Sequence, residues 1–245
     1  MQAVRTRAGA RTLATILVAL VYAAFAVADL VAVFAGHDAW RPFTKPVLMP
    51  ALIGVVLLAS QRLDRVRVWL VLALLWSTAG DVLLLSRSDA AFVEGTLAFA
   101  LAHVSYIACF TLAGTGMGFV RRYPWIAIPY ALGWIGATAI VAPHMGALAF
   151  VAVPYSFLLT VMALVALDLI GRIPVRSAIL AAAGAALFMS SDTNIAVARF
   201  VPTLAPPHVE FLIMLLYLAG QTLIVAAFLF QESPSRPLGV EAIRA

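Results

Sequence analysis

Eight long apolar runs constrain the fold of this chain more than any other feature of its sequence. A helix needs about 20 apolar residues to cross a hydrocarbon core of ~30 Å. The runs predict spans at 12–34, 46–60, 67–85, 92–114, 125–141, 146–170, 177–198 and 208–230. A signal peptide is the alternative for the first run, which exceeds the usual apolar length of about 7–15 residues. We therefore predict an all-α, polytopic membrane protein with about eight transmembrane helices.

The composition agrees with a protein that is mostly surrounded by lipid. Of the 245 residues, 64% are hydrophobic and 11% are charged, whereas soluble domains carry about 25% charged residues. The net charge of +5 does not indicate a nucleic-acid partner, because the basic residues stand singly between apolar runs. We predict one transmembrane domain at 1–230, embedded in the bilayer, and a disordered cytoplasmic tail at 231–245. The sequence leaves the oligomeric state open.

The basic residues are unevenly divided between the two ends of the predicted helices. Twelve arginines lie on the side of the N-terminus: Arg5, Arg7, Arg11, Arg62, Arg65, Arg67, Arg121, Arg122, Arg172, Arg176, Arg236 and Arg244. Four basic residues lie on the opposite side: Arg41, Lys45, Arg87 and Arg199. Cytoplasmic loops carry the excess of Lys and Arg. This bias predicts that both termini are cytoplasmic. The membrane that we expect for this chain is a bacterial inner membrane.

Two stretches of the chain share a spacing. Asp81 follows Ser77 and precedes Tyr106 by 25 residues, and Asp192 precedes Tyr217 by the same distance. Each stretch pairs an aspartate-bearing span with the next span. The spacing suggests a possible parallel four-helix repeat, with chance as the alternative.

Four aspartates fall inside predicted spans, where ionisable side chains are costly and often functional, and three of them share one depth. Asp29, Asp81 and Asp192 each lie about five or six residues from the non-cytoplasmic end, or ~8–9 Å below that surface. The shared depth predicts one polar cavity that opens outward. The alternative is that each aspartate only bonds a neighbouring hydroxyl and holds helices together. Candidate hydroxyls are Ser77, Ser190 and Ser191. We expect Asp168, near the opposite end, to pair with Arg172.

Lys45 and His103 are the remaining candidates for a site. Lys45 stands among prolines 42, 46 and 50, which predict irregular backbone that is covered by protein or borders a wet cavity. There Lys45 would neutralise a carboxylate or bind an anion, unless it only extends to the interface. His103 shares a helix face with Phe99 and Tyr106, and a core histidine with a satisfied hydrogen bond is the alternative. The sequence lacks a metal-ligand spacing and also lacks a phosphate-binding glycine loop and a dinucleotide fingerprint, so no metal and no organic cofactor are predicted.

These residues fall in stretches that resemble the YhhN-like family of lysoplasmalogenases. The motifs are Lys45-Pro46-x-x-Met49-Pro50, Gly80-Asp81 and Ser191-Asp192. The full matching stretches are residues 43–50, 77–84, 92–106 and 184–192. They keep the family's order over about 150 residues, and the segment 113–171 carries little of the resemblance.

The resemblance implies eight membrane helices and hydrolysis of the vinyl ether of lysoplasmalogens. The products would be a fatty aldehyde and a glycerophospho-ethanolamine or -choline. The family's candidate catalytic aspartates correspond to Asp81 and Asp192. With them, Lys45 would bind the lipid phosphate or tune one aspartate, and His103 and Tyr106 would support the substrate through hydrogen bonds.

Vinyl ether hydrolysis requires an acid that protonates carbon and a carboxylate that stabilises the resulting oxocarbenium ion. Glycosidases solve a related problem with two carboxylates, so Asp81 and Asp192 are predicted to divide these roles. A proton-coupled transporter is the main alternative, since carboxylates within the membrane also serve carriers. An intramembrane aspartyl protease is a further alternative, although the Ala-Gly-Asp and Ser-Ser-Asp contexts fit that class poorly.

Overall fold

The computed structural model describes residues 2–60 and 62–230, so the tail predicted at 231–245 lies outside the described residues. In the described ranges the α-helices are α1 (Gln2–Phe34), α2 (Arg41–Ala59), α3 (Arg65–Leu83), α4 (Asp89–Leu112), α5 (Phe119–Arg122), α6 (Ala127–Val141), α7 (Ala149–Leu167), α8 (Val175–Phe200) and α9 (Val209–Phe230). All except the single-turn α5 are long and apolar enough, with short flanking turns, to cross a membrane. The prediction of an all-α protein with eight transmembrane helices is confirmed.

The second span differs from its prediction both in where it begins and in its backbone. Helix α2 begins at Arg41, several residues before the predicted start at 46, and continues as α-helix through Pro46 and Pro50. Pro42 fits in the first turn because the backbone N–H groups there have no partner within the helix. The predicted irregular backbone is therefore wrong. Transmembrane helices tolerate interior prolines because neighbouring groups satisfy the freed carbonyls.

Seven of the long helices form a closed ring. The order of contacts is α1, α2, α3, α4, α7, α8 and α9, with α9 packed back against α1. Helix α6 lies outside this ring and packs on α7 and α8. Among its described residues, Val141 alone is buried. The outer position of α6 leaves a space between it and the ring.

Glycines set the closest contacts between helices. A Cβ at Gly184 of α8 would lie 2.7 Å from the carbonyl oxygen of Gly220 in α9, and a Cβ at Gly220 would lie 2.8 Å from that of Gly184. Between α3 and α4, a Cβ at Gly80 would lie 2.5 Å from the ring of Phe99. Small residues allow membrane helices to approach closely without a hydrophobic driving force. Gly80 and Gly184 therefore fix the helices that carry Asp81 and Asp192.

Arginines join the helices at the arginine-rich end. Arg11 of α1 donates to the carbonyl oxygen of Ser60 at 2.6 Å. Asp168 pairs with Arg172 at 3.7 Å, which confirms the predicted pair, and with Arg121 at 2.8 Å. Because these contacts connect segments that are distant in sequence, Asp168 has a structural role.

Candidate active site

Asp192 lies at the end of a hydrogen-bonded chain of three side chains from three helices. The Tyr155 hydroxyl of α7 donates to Oδ2 of Asp192 in α8. Nε2 of His103 in α4 lies 2.9 Å from the Tyr155 hydroxyl oxygen and 3.8 Å from Oδ2 of Asp192. His103 is fully buried. His103 therefore lies beside a membrane carboxylate, with the Tyr155 hydroxyl between them.

The direction of these bonds follows from the number of protons available. Tyr155 carries one hydroxyl proton, which it donates to Asp192, so His103 must donate to Tyr155 from Nε2. Nδ1 of His103 has no hydrogen-bond partner among the described residues. Oδ1 of Asp192 also has none in the described ranges. One carboxyl oxygen is thus fixed by Tyr155, and the other is free to contact a ligand.

Asp192 and Tyr155 line a cavity of about 440 Å³ between α6 and the ring. Ligand pockets in proteins typically measure about 300–1,000 Å³. The walls come from α4, α6, α7 and α8 and are mostly apolar; Phe99, Trp134 and Leu159 are examples. Among the described lining residues, Asp192 is the only carboxylate, and none is Lys, Arg or His. The cavity therefore presents a single acidic group within an apolar space.

Asp81 belongs to a second polar cluster. Its Oδ1 lies 3.2 Å from Nζ of Lys45, and its Oδ2 accepts a hydrogen bond of 2.6 Å from the Tyr217 hydroxyl. The Asp81 side chain is 2% exposed and that of Lys45 is 10% exposed. The prediction that Lys45 neutralises a carboxylate matches this contact. Lys45 is not among the residues that line the cavity, and its Nζ is paired with the Asp81 carboxylate.

The other polar residues of this cluster continue it toward the middle of the membrane. Gln221 lies one helical turn after Tyr217 on α9, and its amide donates to Ser77 at 3.2 Å. The Tyr106 hydroxyl donates to Oε1 of Gln221. Tyr106 is fully buried and does not line the cavity. Its observed partner is therefore a protein amide, and the geometry gives it no direct contact with a ligand in that cavity.

Aromatic rings separate the two clusters. Phe188 contacts the His103 ring with 5.0 Å between ring centroids and the Tyr217 ring with 5.3 Å. No hydrogen bond or ion pair among the described residues joins Asp81 to Asp192. The expectation of one shared polar cavity is therefore wrong. The helix ring turns the two carboxylates toward different neighbours, although they lie at similar depth.

Hydroxyl groups do bond the aspartates, but from other helices than expected. Asp29 accepts a hydrogen bond of 2.5 Å from Thr44, whereas Asp81 and Asp192 are bonded by tyrosines. The three candidate serines bond elsewhere: Ser77 accepts from Gln221, and Ser190 and Ser191 donate to backbone carbonyls. The predicted four-helix repeat is not confirmed, because the partners of Asp81 and Asp192 do not correspond.

The sequence did not predict the contacts of three polar residues of the clusters. Tyr155 lies in the weakly informative segment 113–171, although Pro154-Tyr155-Ser156 is a polar interruption of an apolar span. Gln221 is the single amide side chain in the last span, which was a usable signal. Tyr217 was noted for its spacing and not for its bond to Asp81.

Comparison with known proteins agrees with this arrangement. The YhhN family profile matches residues 40–228. The chain belongs to the YhhN family. It is 31% identical over 199 residues to proteins named lysoplasmalogenase from Mycobacterium bovis and Mycobacterium tuberculosis, and the match covers 80% of this chain and 72% of each relative. It is 30% identical over 165 residues to lysoplasmalogenase TMEM86A from Bos taurus, with 66% of this chain and 65% of the relative covered. No solved structure matches significantly.

Membership in the YhhN family confirms the resemblance found in the sequence. The match begins just before Lys45 and extends beyond Gln221, so it contains both polar clusters. The names of the relatives support the prediction of a hydrolase, and the eight apolar helices show an integral membrane protein. Asp29 and the rest of α1 lie before the matched residues.

Proposed function

We propose that this YhhN protein hydrolyses the vinyl ether bond of lysoplasmalogens at Asp192. The products are a fatty aldehyde and a glycerophospho-ethanolamine or -choline. The observation that carries the proposal is the position of Asp192, which is the only carboxylate among the described residues that line an apolar cavity. An alkenyl chain can pack against the apolar lining of this cavity, and the reacting carbon requires an acid within reach. The names of the relatives support the lysophospholipid substrate.

In the first step, protonated Oδ1 of Asp192 transfers its proton to the β-carbon of the vinyl ether. The π electrons form the new C–H bond, and the α-carbon becomes part of an oxocarbenium ion. The Asp192 carboxylate that remains lies beside this cation and stabilises it. Tyr155 already donates to Oδ2, so the carboxylate meets a preorganised donor when its negative charge develops.

In the second step, water adds to the α-carbon and its proton passes to Asp192, which restores the acid. The resulting hemiacetal then breaks its bond to the glycerol oxygen. The hydroxyl proton is lost, the glycerol oxygen gains a proton, and the aldehyde is released. One group thus serves as acid and then as base, as the acid/base carboxylate of a retaining glycosidase does.

Asp81 and Lys45 act behind the aromatic wall in this proposal. Their ion pair is buried and does not line the cavity. Tyr217 connects it to Phe188, whose ring packs on His103. We assign Asp81 and Lys45 a positioning role, in which they fix the rings that hold the Asp192 chain. Tyr106 supports the same cluster through Gln221.

The proposal also includes the orientation of the chain. Residues 1–230 would act as one domain in a bacterial inner membrane, with both termini cytoplasmic. Asp192 would then lie in the outer half of the bilayer. The substrate would reach the cavity from the membrane beside α6, which is the least buried of the membrane-spanning helices in the described ranges.

Turnover in D₂O tests the chemistry. The vinyl ether β-carbon becomes the carbon next to the carbonyl group in the aldehyde. Proton transfer from an exchangeable acid should therefore place one deuterium on that carbon of the freshly released aldehyde. Incubation of unlabelled aldehyde in D₂O provides the control for slow enolisation. Mass spectrometry that shows no deuterium above this control would exclude protonation of carbon, and with it the role proposed for Asp192.

A further inference from the structure

Arg199 lies on α8 two turns beyond Asp192. Seven residues advance a helix by about 10.5 Å and return to nearly the same face. Ile195 and Ala196, between the two residues, line the cavity. Arg199 and Asp192 are therefore arranged along one face of α8, with Arg199 nearer the end of the membrane-spanning segment.

The guanidinium of Arg199 is held against the end of the cavity by aromatic rings. It lies 4.5 Å from the centroid of the Phe92 ring and 5.8 Å from that of Phe200. Both phenylalanines line the cavity. A guanidinium over an aromatic face is attracted by the ring and is partly desolvated. The side chain remains 25% exposed, so its outer N–H groups can meet a ligand.

The present partner of Arg199 is easily replaced. Asp89 accepts a hydrogen bond of 2.5 Å from Arg199, but the Asp89 side chain is 78% exposed. Exposed ion pairs contribute little free energy. A phosphate group offers the same guanidinium more acceptor oxygens, and arginine binds phosphate through two parallel hydrogen bonds.

We propose that Arg199 binds the phosphate of a single-chain phospholipid whose hydrocarbon chain occupies the cavity. The inference rests on the proposed function for the identity of that lipid. The phosphate-binding role that the sequence suggested for Lys45 is thereby assigned to Arg199, because Nζ of Lys45 is paired with the Asp81 carboxylate. Arg199 is a positioning residue, since it holds the head group and not the reacting atoms.

The separation of the two side chains suits this ligand. About seven covalent bonds connect the vinyl ether β-carbon to phosphorus, which is roughly 8–9 Å in an extended chain. This length is close to the ~10.5 Å rise between Asp192 and Arg199. Phosphate bound at Arg199 therefore places the reacting carbon at the depth of Asp192, and the remaining alkenyl chain continues into the cavity.

Binding of ligands that cannot react tests the assignment independently of catalysis. The probes are a saturated 1-O-alkyl lysophosphatidylcholine and the matching 1-O-alkylglycerol, which lacks phosphate. Isothermal titration calorimetry is performed on the full-length protein in a non-ionic detergent without phosphate. Arg199→Gln should weaken binding of the phospholipid by about tenfold to a hundredfold, as expected for lost hydrogen bonds to a charged group. Binding of the alkylglycerol should not change.

Arg87→Gln is the matched control, because Arg87 forms an exposed pair with Asp38 at the same end of the helices. It should bind both probes like the unmodified protein. Arg199→Lys keeps the positive charge but loses the paired N–H donors of the guanidinium. Its affinity for the phospholipid should lie between that of Arg199→Gln and that of the unmodified protein. Equal phospholipid affinity in Arg199→Gln and the unmodified protein would overturn the proposal. Equal loss of both probes would also overturn it, since the residue would then be structural.

Kinetics separate this inference from the proposed function. With lysoplasmalogen as substrate, Arg199→Gln should raise KM, and with 1-alkenylglycerol it should match the unmodified protein. Aldehyde release with an unchanged KM in Arg199→Gln would remove the phosphate site and leave the proposed function standing. A different outcome is that Arg199→Gln selectively loses phospholipid binding while even the unmodified protein releases no aldehyde. That outcome would establish the phosphate site and exclude the proposed function.

Discussion

The Tyr155 hydroxyl donates a hydrogen bond to the Asp192 carboxylate across the contact between α7 and α8. Both side chains line the same apolar cavity. The bond fixes one carboxyl oxygen and leaves the other free of partners in the described part of the chain. A membrane aspartate is thereby oriented toward a space that can hold a hydrocarbon chain.

Tyr155→Phe should lower kcat by about tenfold to a hundredfold and leave KM nearly unchanged. The variant removes a donor that stabilises the carboxylate formed when Asp192 loses its proton, and preorganised donors contribute mainly to the transition state. Tyr130→Phe is the control, since Tyr130 also lines the cavity. Steady-state aldehyde release measures both variants. Equal rates for the two variants would contradict the role given to Tyr155.

The buried pair of Lys45 and Asp81 should show strong coupling in a double-mutant cycle. Lys45→Met or Asp81→Asn alone leaves one buried charge without its partner, which should cost about 3–5 kcal/mol. The double variant should recover most of this stability because neither charge remains. Thermal unfolding in detergent measures the cycle.

The kcat of aldehyde release by these three variants should fall and recover together with their stability. Asp81→Asn should lose less kcat than Asp192→Asn, and the double variant should regain most of the loss. A double variant that is as stable as the unmodified protein but inactive would contradict the positioning role. It would return Asp81 to the chemical step predicted from the sequence.

Gly133→Leu should shift the preference of the enzyme toward shorter alkenyl chains. A Cβ at Gly133 meets no atom within 4 Å, and the residue lines the cavity, so the new side chain fills ligand space. Gly136→Leu is the matched control on the same helix, with an equally open Cβ position outside the cavity. Relative kcat/KM over a series of chain lengths distinguishes the two. An unchanged series for Gly133→Leu would exclude this cavity as the chain site.

Single cysteines in a Cys109→Ala background should reveal the orientation. Cysteines at Ser88 and His144 should react with an impermeant maleimide in intact cells, whereas one at Arg121 should react only after permeabilisation. The reason is the excess of arginine at the end that contains Arg121. The reverse pattern would contradict the orientation proposed for the cavity.

The number and extent of the helices could be predicted because each span must satisfy its backbone within the bilayer and needs a fixed apolar length. The neighbours of each helix could not. Lipid is as apolar as a protein core, so the sequence of α6 is as apolar as those of the ring helices although α6 lies outside the ring. The partners of Asp192 and Asp81, Tyr155 and Tyr217, are 37 and 136 residues distant. Such pairs depend on the order of helices around the ring.

The pair formed by Lys45 and Asp81 was within reach of sequence reasoning, because a buried lysine requires a carboxylate and few were available. The single shared cavity was not. Equal depth in the membrane does not imply a common space, because depth does not fix the direction in which a helix face points. The bulky rings of Phe99 and Phe188 fill the region where that space was expected.

Asp192→Asn tests the central claim most directly. Asparagine keeps the shape of the side chain and cannot supply the proton, and general acid–base groups typically contribute about 10²–10⁴-fold. The purified variant should release aldehyde from lysoplasmalogen at least about a hundredfold more slowly, while it binds the saturated 1-O-alkyl lysophosphatidylcholine like the unmodified protein. Near-normal aldehyde release by a correctly folded Asp192→Asn protein would contradict the assignment of Asp192 as the acid.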